Sequence, residues 1–154
     1  MNSLPHEYKF SHLTVMTKEI SVEEANAAFY RAIEANDIDL MDEVWAHEPW
    51  IKCVHPGWEM ISGWRRVRES WSRIFEDEQR MRISPSSVFV HTEGDFAWVT
   101  CLENITVFEE TSFDSVQAAA TNLFIRRDGR WLMVHHHASP IPMIVADNSS
   151  DTIQ

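Results

Sequence analysis

The second half of the chain carries a period-two pattern that restricts the folds it can adopt. From Met81 onward, side chains alternate through four segments, which we predict as strands at about 81–91, 95–109, 116–127 and 131–139. Short breaks separate them at Gly94-Asp95, Thr111-Ser112 and Asp128-Gly129. Connections this short join antiparallel neighbours, because parallel strands need a long crossover. The pattern therefore predicts a four-stranded antiparallel meander.

The first half of the chain carries helical signals instead. Residues 21–24 form a capping box, in which the Ser21 hydroxyl and the Glu24 carboxylate each bond the other residue's backbone amide, and apolar spacing extends this helix to about Ala35. A second short helix ends before Pro49, and residues 50–55 form a short strand. A third helix follows Ser62-Gly63 and has one apolar stripe, formed by Trp64, Val67, Trp71, Ile74 and Phe75.

This order of elements predicts an α+β fold. A cone-shaped, curved antiparallel sheet of six strands wraps around a long helix, and an N-terminal helical hairpin precedes it. Such a cone leaves a cavity open at one end. We assign residues 1–20 to an N-terminal arm, 21–140 to a single domain and 141–154 to a polar C-terminal tail.

The charge and the cysteines exclude several classes of partner. The formal net charge of -11 disfavours nucleic acid and anionic membranes, because both require a basic surface. The sequence contains no apolar run near the roughly 20 residues that span a bilayer. Cys53 and Cys101 lie in predicted strands without the spacing of a metal knuckle, so we expect a reduced, cytoplasmic protein.

The segment at 95–109 is apolar on both of its faces. Ala97, Val99 and Cys101 share one face with Glu103, and the other face carries Trp98 among further apolar residues. A sheet that is apolar on both sides is covered on both sides. Helices would cover one side, and a partner subunit or the N-terminal arm the other. We therefore predict a homodimer that forms through the sheet.

The last strand brings polar side chains into line. Because a strand's side chains alternate, Met133, His135, His137 and Ser139 are expected on one face and His136 on the other. Two imidazoles and a hydroxyl in a row indicate a polar site. A solvated edge strand, or core histidines with satisfied hydrogen bonds, would give the same pattern.

When the strand faces are aligned, several polar and aromatic side chains come together in one candidate site, which we expect to bind a small molecule. We predict three catalytic residues, Glu103, His135 and His137, and five substrate-binding residues, His55, Trp58, Trp71, Asn122 and Ser139. Glu103 is the most informative, because a carboxyl on an apolar face must be paired, hydrated in a pocket or protonated. A carboxylate and an imidazole facing one cavity can perform acid–base chemistry on a carbonyl compound without a cofactor. The alternative is an ion pair that closes the cone and binds nothing.

Two pairs of residues raise the question of a metal. Cys53 with His55, and His135 with His137, are each two residues apart on a strand, and zinc accepts both ligand types. Nothing in the sequence shows that the two pairs meet. We predict neither a metal nor a cofactor.

Several motifs, taken in this order, resemble one known superfamily. They are Ala28-Phe29-Tyr30 through Trp45, Cys53-Val54-His55-Pro56-Gly57-Trp58, Gly63 with Ser70-Trp71 and Ile74-Phe75, Gly94-Asp95-Phe96-Ala97-Trp98-Val99-Thr100, Ala120-Thr121-Asn122-Leu123-Phe124, and Asp128-Gly129-Arg130-Trp131 with the histidines. Over about residues 21–140 the chain resembles the SnoaL-like, or nuclear transport factor two-like, superfamily, which includes ketosteroid isomerase. The last hairpin is also similar to the association domain of calcium/calmodulin-dependent protein kinase two.

The resemblance implies a cystatin-like cone with a pocket between sheet and helices, often dimeric through the sheet. It leaves the activity open, since the fold carries isomerases, cyclases, dehydratases and scaffolds. The Tyr and Asp set of ketosteroid isomerase has no match here, because Tyr8 and Tyr30 lie in the N-terminal part, away from the predicted sheet. Two hypotheses follow: an acid–base isomerase, lyase or cyclase acting on a small carbonyl compound, or a non-catalytic ligand-binding or oligomerisation domain.

Overall fold

A computed structural model describes residues 19–77, 80–108 and 110–142. The helices and strands follow in the order α1 (Val22–Ala35), α2 (Ile38–Val44), β1 (Lys52–Val54), β2 (Ile61–Ser62), α3 (Trp64–Glu76), β3 (Arg80–Glu93), β4 (Phe96–Phe108), β5 (Phe113–Arg127) and β6 (Arg130–Ile141). The predicted α+β fold with its three helices and six-stranded sheet is confirmed. The predicted arm and tail lie outside the described residues, apart from residues 19–20 and 141–142, so the domain boundaries stay predictions.

The six strands form a single sheet in the order β2-β1-β6-β5-β4-β3. Strands β3 to β6 form the predicted antiparallel meander. β1 pairs antiparallel with β2 but parallel with β6, a difference from the fully antiparallel sheet that we expected. A tight turn imposes antiparallel pairing, and no turn links β1 to β6, which lie far apart in the chain. Within the described residues, no helix is long and apolar enough to cross a membrane.

Helix α1 begins at the predicted capping box and packs its apolar side on the sheet. The Ser21 hydroxyl accepts a hydrogen bond from the Glu24 amide, and the Glu24 carboxylate accepts one from the Ser21 amide. Phe29 is fully buried and makes edge-to-face contact with Trp71 of α3, with 5.5 Å between the ring centroids. The two helices therefore cover the same, concave face of the sheet. Tyr30 of α1 is also buried there.

The two faces of β4 separate as the sequence predicts. Ala97, Val99, Cys101, Glu103 and Ile105 are buried on the concave face. Trp98 lies on the opposite, convex face and is 37% exposed in the single chain. The helices thus cover one side of the sheet and leave aromatic side chains on the other.

A β-bulge in β6 changes which histidine faces the helices. Phe124 pairs with Met133 but Leu123 pairs with His135, so Val134 is an extra residue in the ladder. An extra residue reverses the side-chain alternation beyond it. His136 is consequently buried opposite Asn122 on the concave face. The prediction that His135, His137 and Ser139 face the cone is wrong, because it assumed an unbroken strand.

Candidate functional site

A cavity of about 280 Å³ lies between α3 and the concave face of the sheet. Most of its wall is aliphatic or aromatic, and the ionisable side chains among its described residues are His55, Asp77, Glu103 and His136. Trp58 and Val116, which are 47% and 48% exposed, lie where the cavity meets the surface. The cavity has the size and mixed lining of a small-molecule site.

Glu103 is a buried carboxyl in the cavity wall. β4 places it on the concave face, and its residue is only 1% exposed. The Tyr30 hydroxyl donates a hydrogen bond of 2.9 Å to Oε1. Burial raises the pKa of this carboxyl to about 7, against the lowering effect of the Tyr30 bond. Near neutral pH, Glu103 is therefore able both to take up and to release a proton.

His136 is a buried neutral imidazole beside Glu103. The Asn122 amide nitrogen donates to Asn26 Oδ1, at 2.8 Å, and the Asn122 oxygen lies 2.6 Å from Nδ1 of His136. An amide oxygen only accepts, so Nδ1 carries the proton and Nε2 keeps its lone pair. Nε2 lies 4.0 Å from Glu103 Oε1. Burial lowers the pKa of His136 to about 3, so the ring is neutral at neutral pH.

Tyr30 joins these groups into one network. Besides donating to Glu103, its hydroxyl oxygen accepts a bond of 3.3 Å from Asn122 and lies 3.1 Å from the Cys101 sulfur. Burial raises the pKa of the phenol, so it stays a neutral donor. The prediction that Tyr30 lies away from the sheet is wrong, because α1 crosses the concave face. The sequence does contain a signal for this contact: Asn26 and Tyr30 are polar residues four apart on the otherwise apolar side of α1, which brings them to the same face of the helix.

His55 is a second neutral imidazole in the wall. Its Nε2 lies 2.8 Å from the Ser70 hydroxyl, and that hydroxyl donates to the Val67 carbonyl. The Ser70 oxygen therefore accepts from His55 Nε2–H. Burial lowers the pKa of His55 to about 4. Trp71 and Trp58 make edge-to-face contacts with its ring, at centroid distances of 4.5 and 4.9 Å.

The structure brings together five of the eight residues that the sequence singles out. Glu103, His55, Trp58 and Trp71 line the cavity, and Asn122 fixes His136 behind it. The other three, His135, His137 and Ser139, lie on the convex face, across the sheet from Glu103. The prediction that Glu103 shares a cavity with His135 and His137 is therefore wrong, and His136 takes their position. The catalytic and binding roles themselves stay predictions.

The two residue pairs considered as metal ligands lie on different sides of the sheet. Cys53 Sγ and His55 Nε2 are 3.9 Å apart on the concave side. The rings of His135 and His137 lie on the convex side, with centroids 6.1 Å apart. The two pairs do not converge on one ion. In the part of the chain that the structure describes, no three His, Cys, Asp or Glu side chains are grouped closely enough to hold a metal.

Comparison with known proteins gives one family. A family model described as the SnoaL-like domain matches residues 22–144. The F-box protein SKIP8 of Arabidopsis thaliana is 32% identical over 114 residues, which are 74% of this chain and 47% of that protein. The chain thus spans about half the length of this curated relative.

Solved structures agree with the family match. A protein of the NTF2-like family from Streptomyces avermitilis, provisionally named a dehydratase, is 34% identical with a TM-score of 0.72, over 79% of this chain and 94% of that one. A protein from Thiobacillus denitrificans, provisionally named a calcium/calmodulin-dependent protein kinase type II association domain, is 30% identical with a TM-score of 0.65, over 79% and 96%. A family model that covers most of the chain, and a fold shared with these structures, show that the protein belongs to the SnoaL-like family of the NTF2-like superfamily.

Proposed function

We propose that this protein is a cofactor-independent acid–base enzyme, a lyase or isomerase that acts on a small, largely apolar carbonyl compound. The observation that carries the proposal is the pairing of Glu103 with His136 in the cavity wall, with Oε1 and Nε2 4.0 Å apart. Their environment moves the two pKa values in opposite directions, to about 7 and about 3. The wall thus has one group that exchanges a proton near neutral pH and one that stays a neutral hydrogen-bond acceptor.

Glu103 is the proton carrier in this proposal. An acid–base catalyst is most efficient when its pKa is near the working pH, which favours Glu103 over the weakly basic His136. In a dehydration, the Glu103 carboxylate takes the proton from the carbon next to the carbonyl, and the C–H electrons form the C=C bond. The C–O bond at the next carbon breaks, and the leaving hydroxide takes that proton from Glu103 to become water. No net proton is gained or lost.

His136 and Tyr30 position the reacting groups. The lone pair on His136 Nε2 accepts a hydrogen bond from the substrate hydroxyl before the C–O bond breaks. Tyr30 holds Glu103 through its bond to Oε1 and leaves Oε2 for the proton transfer. The provisional dehydratase name of the Streptomyces avermitilis protein, which is 34% identical, supports a lyase of this kind.

The proposal is tested by following a panel of small cyclic ketones and β-hydroxyketones by proton NMR in heavy water. We expect the protein to exchange the proton next to the carbonyl, or to release water, for at least one compound. The matched control is Val116→Trp, since Val116 is 48% exposed at the cavity and a larger side chain there fills it. The proposal is wrong if no compound reacts, or if the filled variant is as active as the original.

A second candidate function is assembly through the convex face. Phe89 and Trp98 are 71% and 37% exposed there, and large apolar patches are uncommon on the surface of a monomer. The Thiobacillus denitrificans protein, 30% identical, carries the provisional name of an association domain. We propose a homodimer through this face. The cytoplasmic location predicted from the cysteines is a separate proposal.

Light scattering at micromolar concentration tests the assembly. We expect a dimer mass for the protein and a monomer mass for Trp98→Lys, because a charge in the centre of an apolar interface has to be desolvated. Glu34→Lys, on the exposed side of α1, is the control and is expected to stay dimeric. A monomer mass for the unchanged protein would exclude the homodimer.

A further inference from the structure

We propose that the cavity selects an uncharged substrate bearing a hydroxyl group and rejects carboxylates and phosphates. The inference rests on the proposed function, because it concerns the same cavity, but it is argued from the charges of the wall rather than from the reaction. It narrows the substrate class to neutral hydroxy compounds.

The described part of the wall offers no positive charge to an anion. Among the described residues that line the cavity there is no lysine or arginine, and the acidic side chains are Glu103 and Asp77. A buried carboxylate or phosphate without a cation costs several kcal/mol in lost hydration. An anionic ligand would also lie beside the Glu103 carboxyl, which repels it whenever that group is ionised.

The two imidazoles do not replace the missing cation. The hydrogen bonds fix one proton on each ring, on Nδ1 of His136 towards Asn122 and on Nε2 of His55 towards Ser70. Burial keeps both rings neutral, with pKa values of about 3 and about 4. His136 therefore presents a lone pair on Nε2, which is an acceptor for a hydroxyl hydrogen.

The charge of the whole chain acts in the same direction. The formal net charge is -11, so the field outside the protein disfavours the approach of anions before they reach the cavity. Phosphate-bearing coenzyme esters would meet this field as well as the wall.

A protonated amine fits less well than a hydroxyl. An ammonium group has three donors and needs an acceptor for each when it is buried. The buried acceptors of the described wall are His136 Nε2, the second ring nitrogen of His55 and the Glu103 carboxyl. Glu103 is partly protonated at neutral pH, because its pKa is about 7, so an ammonium has no permanent buried counter-charge. At the packing density of protein interiors, a cavity of about 280 Å³ holds roughly a dozen non-hydrogen atoms. A neutral molecule with one ring and a hydroxyl matches both limits.

Three probes that share one ring test the inference: cyclohexylmethanol, cyclohexanecarboxylate and cyclohexylmethylammonium. Binding is followed at about pH 7.5 by NMR, through the ring signals of His136 and the indole N–H of Trp71. We expect the alcohol to bind at least about tenfold more tightly than the carboxylate, because the carboxylate loses more hydration and meets no lysine or arginine among the described wall residues. Val116→Trp should abolish alcohol binding, and Glu103→Gln should reduce the disadvantage of the carboxylate severalfold.

The outcomes separate this inference from the proposed function. Equal or tighter binding of the carboxylate or the ammonium, no alcohol binding, or alcohol binding that Val116→Trp leaves unchanged would overturn the substrate class. A clear preference for the alcohol, with no proton exchange on any ketone, would contradict the proposed reaction and leave the substrate class standing. Exchange on a ketone together with equal binding of the carboxylate would support the proposed reaction and contradict the substrate class.

Discussion

Replacing Glu103 with glutamine is expected to lower kcat at least about a hundredfold, which is the lower end of what a positioned general acid–base group contributes. Glutamine keeps the size and can still accept the bond from Tyr30, but it has no proton to exchange. KM should change little, because the hydrogen bonds that hold the substrate are largely kept. The measurement is steady-state kinetics on whichever ketone of the NMR panel reacts fastest.

Two histidine variants accompany this test, one in the cavity wall and one on the convex face as its control. His136→Phe keeps a ring of similar size but removes the Nε2 acceptor from the wall, so it should weaken substrate binding as well as turnover. His137→Gln changes the neighbouring histidine on the convex face, where the side chain is exposed, and should leave both parameters unchanged. If His137→Gln lowered kcat as strongly as Glu103→Gln, the assignment of strand faces in the structure would be contradicted.

Glu103 could be found from the sequence because local alternation alone defines its face. β4 is a regular strand, so a carboxyl in the row of Ala97, Val99 and Cys101 must face the core. Asn122, which pairs with Val99 on the same concave face, follows from the same alternation across a tightly connected meander. Short turns and strict periods are local properties, and the sequence expresses them directly.

The rest of the site depends on features that local patterns do not contain. Val134 is apolar in a run of apolar residues, so nothing marks it as the bulge that turns His136 inward and His135 outward. Tyr30 enters the site only because α1 crosses the concave face at an angle that tertiary packing sets. The first error follows from extending a strict alternation through the bulge, and the second from judging the place of Tyr30 by its position in the chain.

The stability of the protein should reveal the cost of burying Glu103. In the unfolded chain this carboxyl has its ordinary pKa of 4.5, and in the folded protein burial raises the pKa to about 7. Between these values the folded state keeps a proton that the unfolded state has released, so raising the pH across this window favours unfolding. A shift of this size corresponds to roughly 3 kcal/mol, which is lost by the time the pH exceeds about 7.

Glu103→Gln removes this titration. When the pH is raised from about 5 to about 8, the free energy of unfolding of the variant should therefore rise by about 2 to 3 kcal/mol relative to that of the original protein. His55 and His136, whose lowered pKa values act in the opposite direction, are present in both proteins and cancel in the difference. Urea denaturation at the two pH values measures this difference in the free energy of unfolding. Glu34→Gln, at an exposed carboxyl, is the control. A difference that does not vary with pH would mean that Glu103 titrates normally and is a poor proton carrier at neutral pH. The predicted gain in stability accompanies the predicted loss of turnover, since burial makes the same carboxyl both costly to ionise and suited to proton transfer.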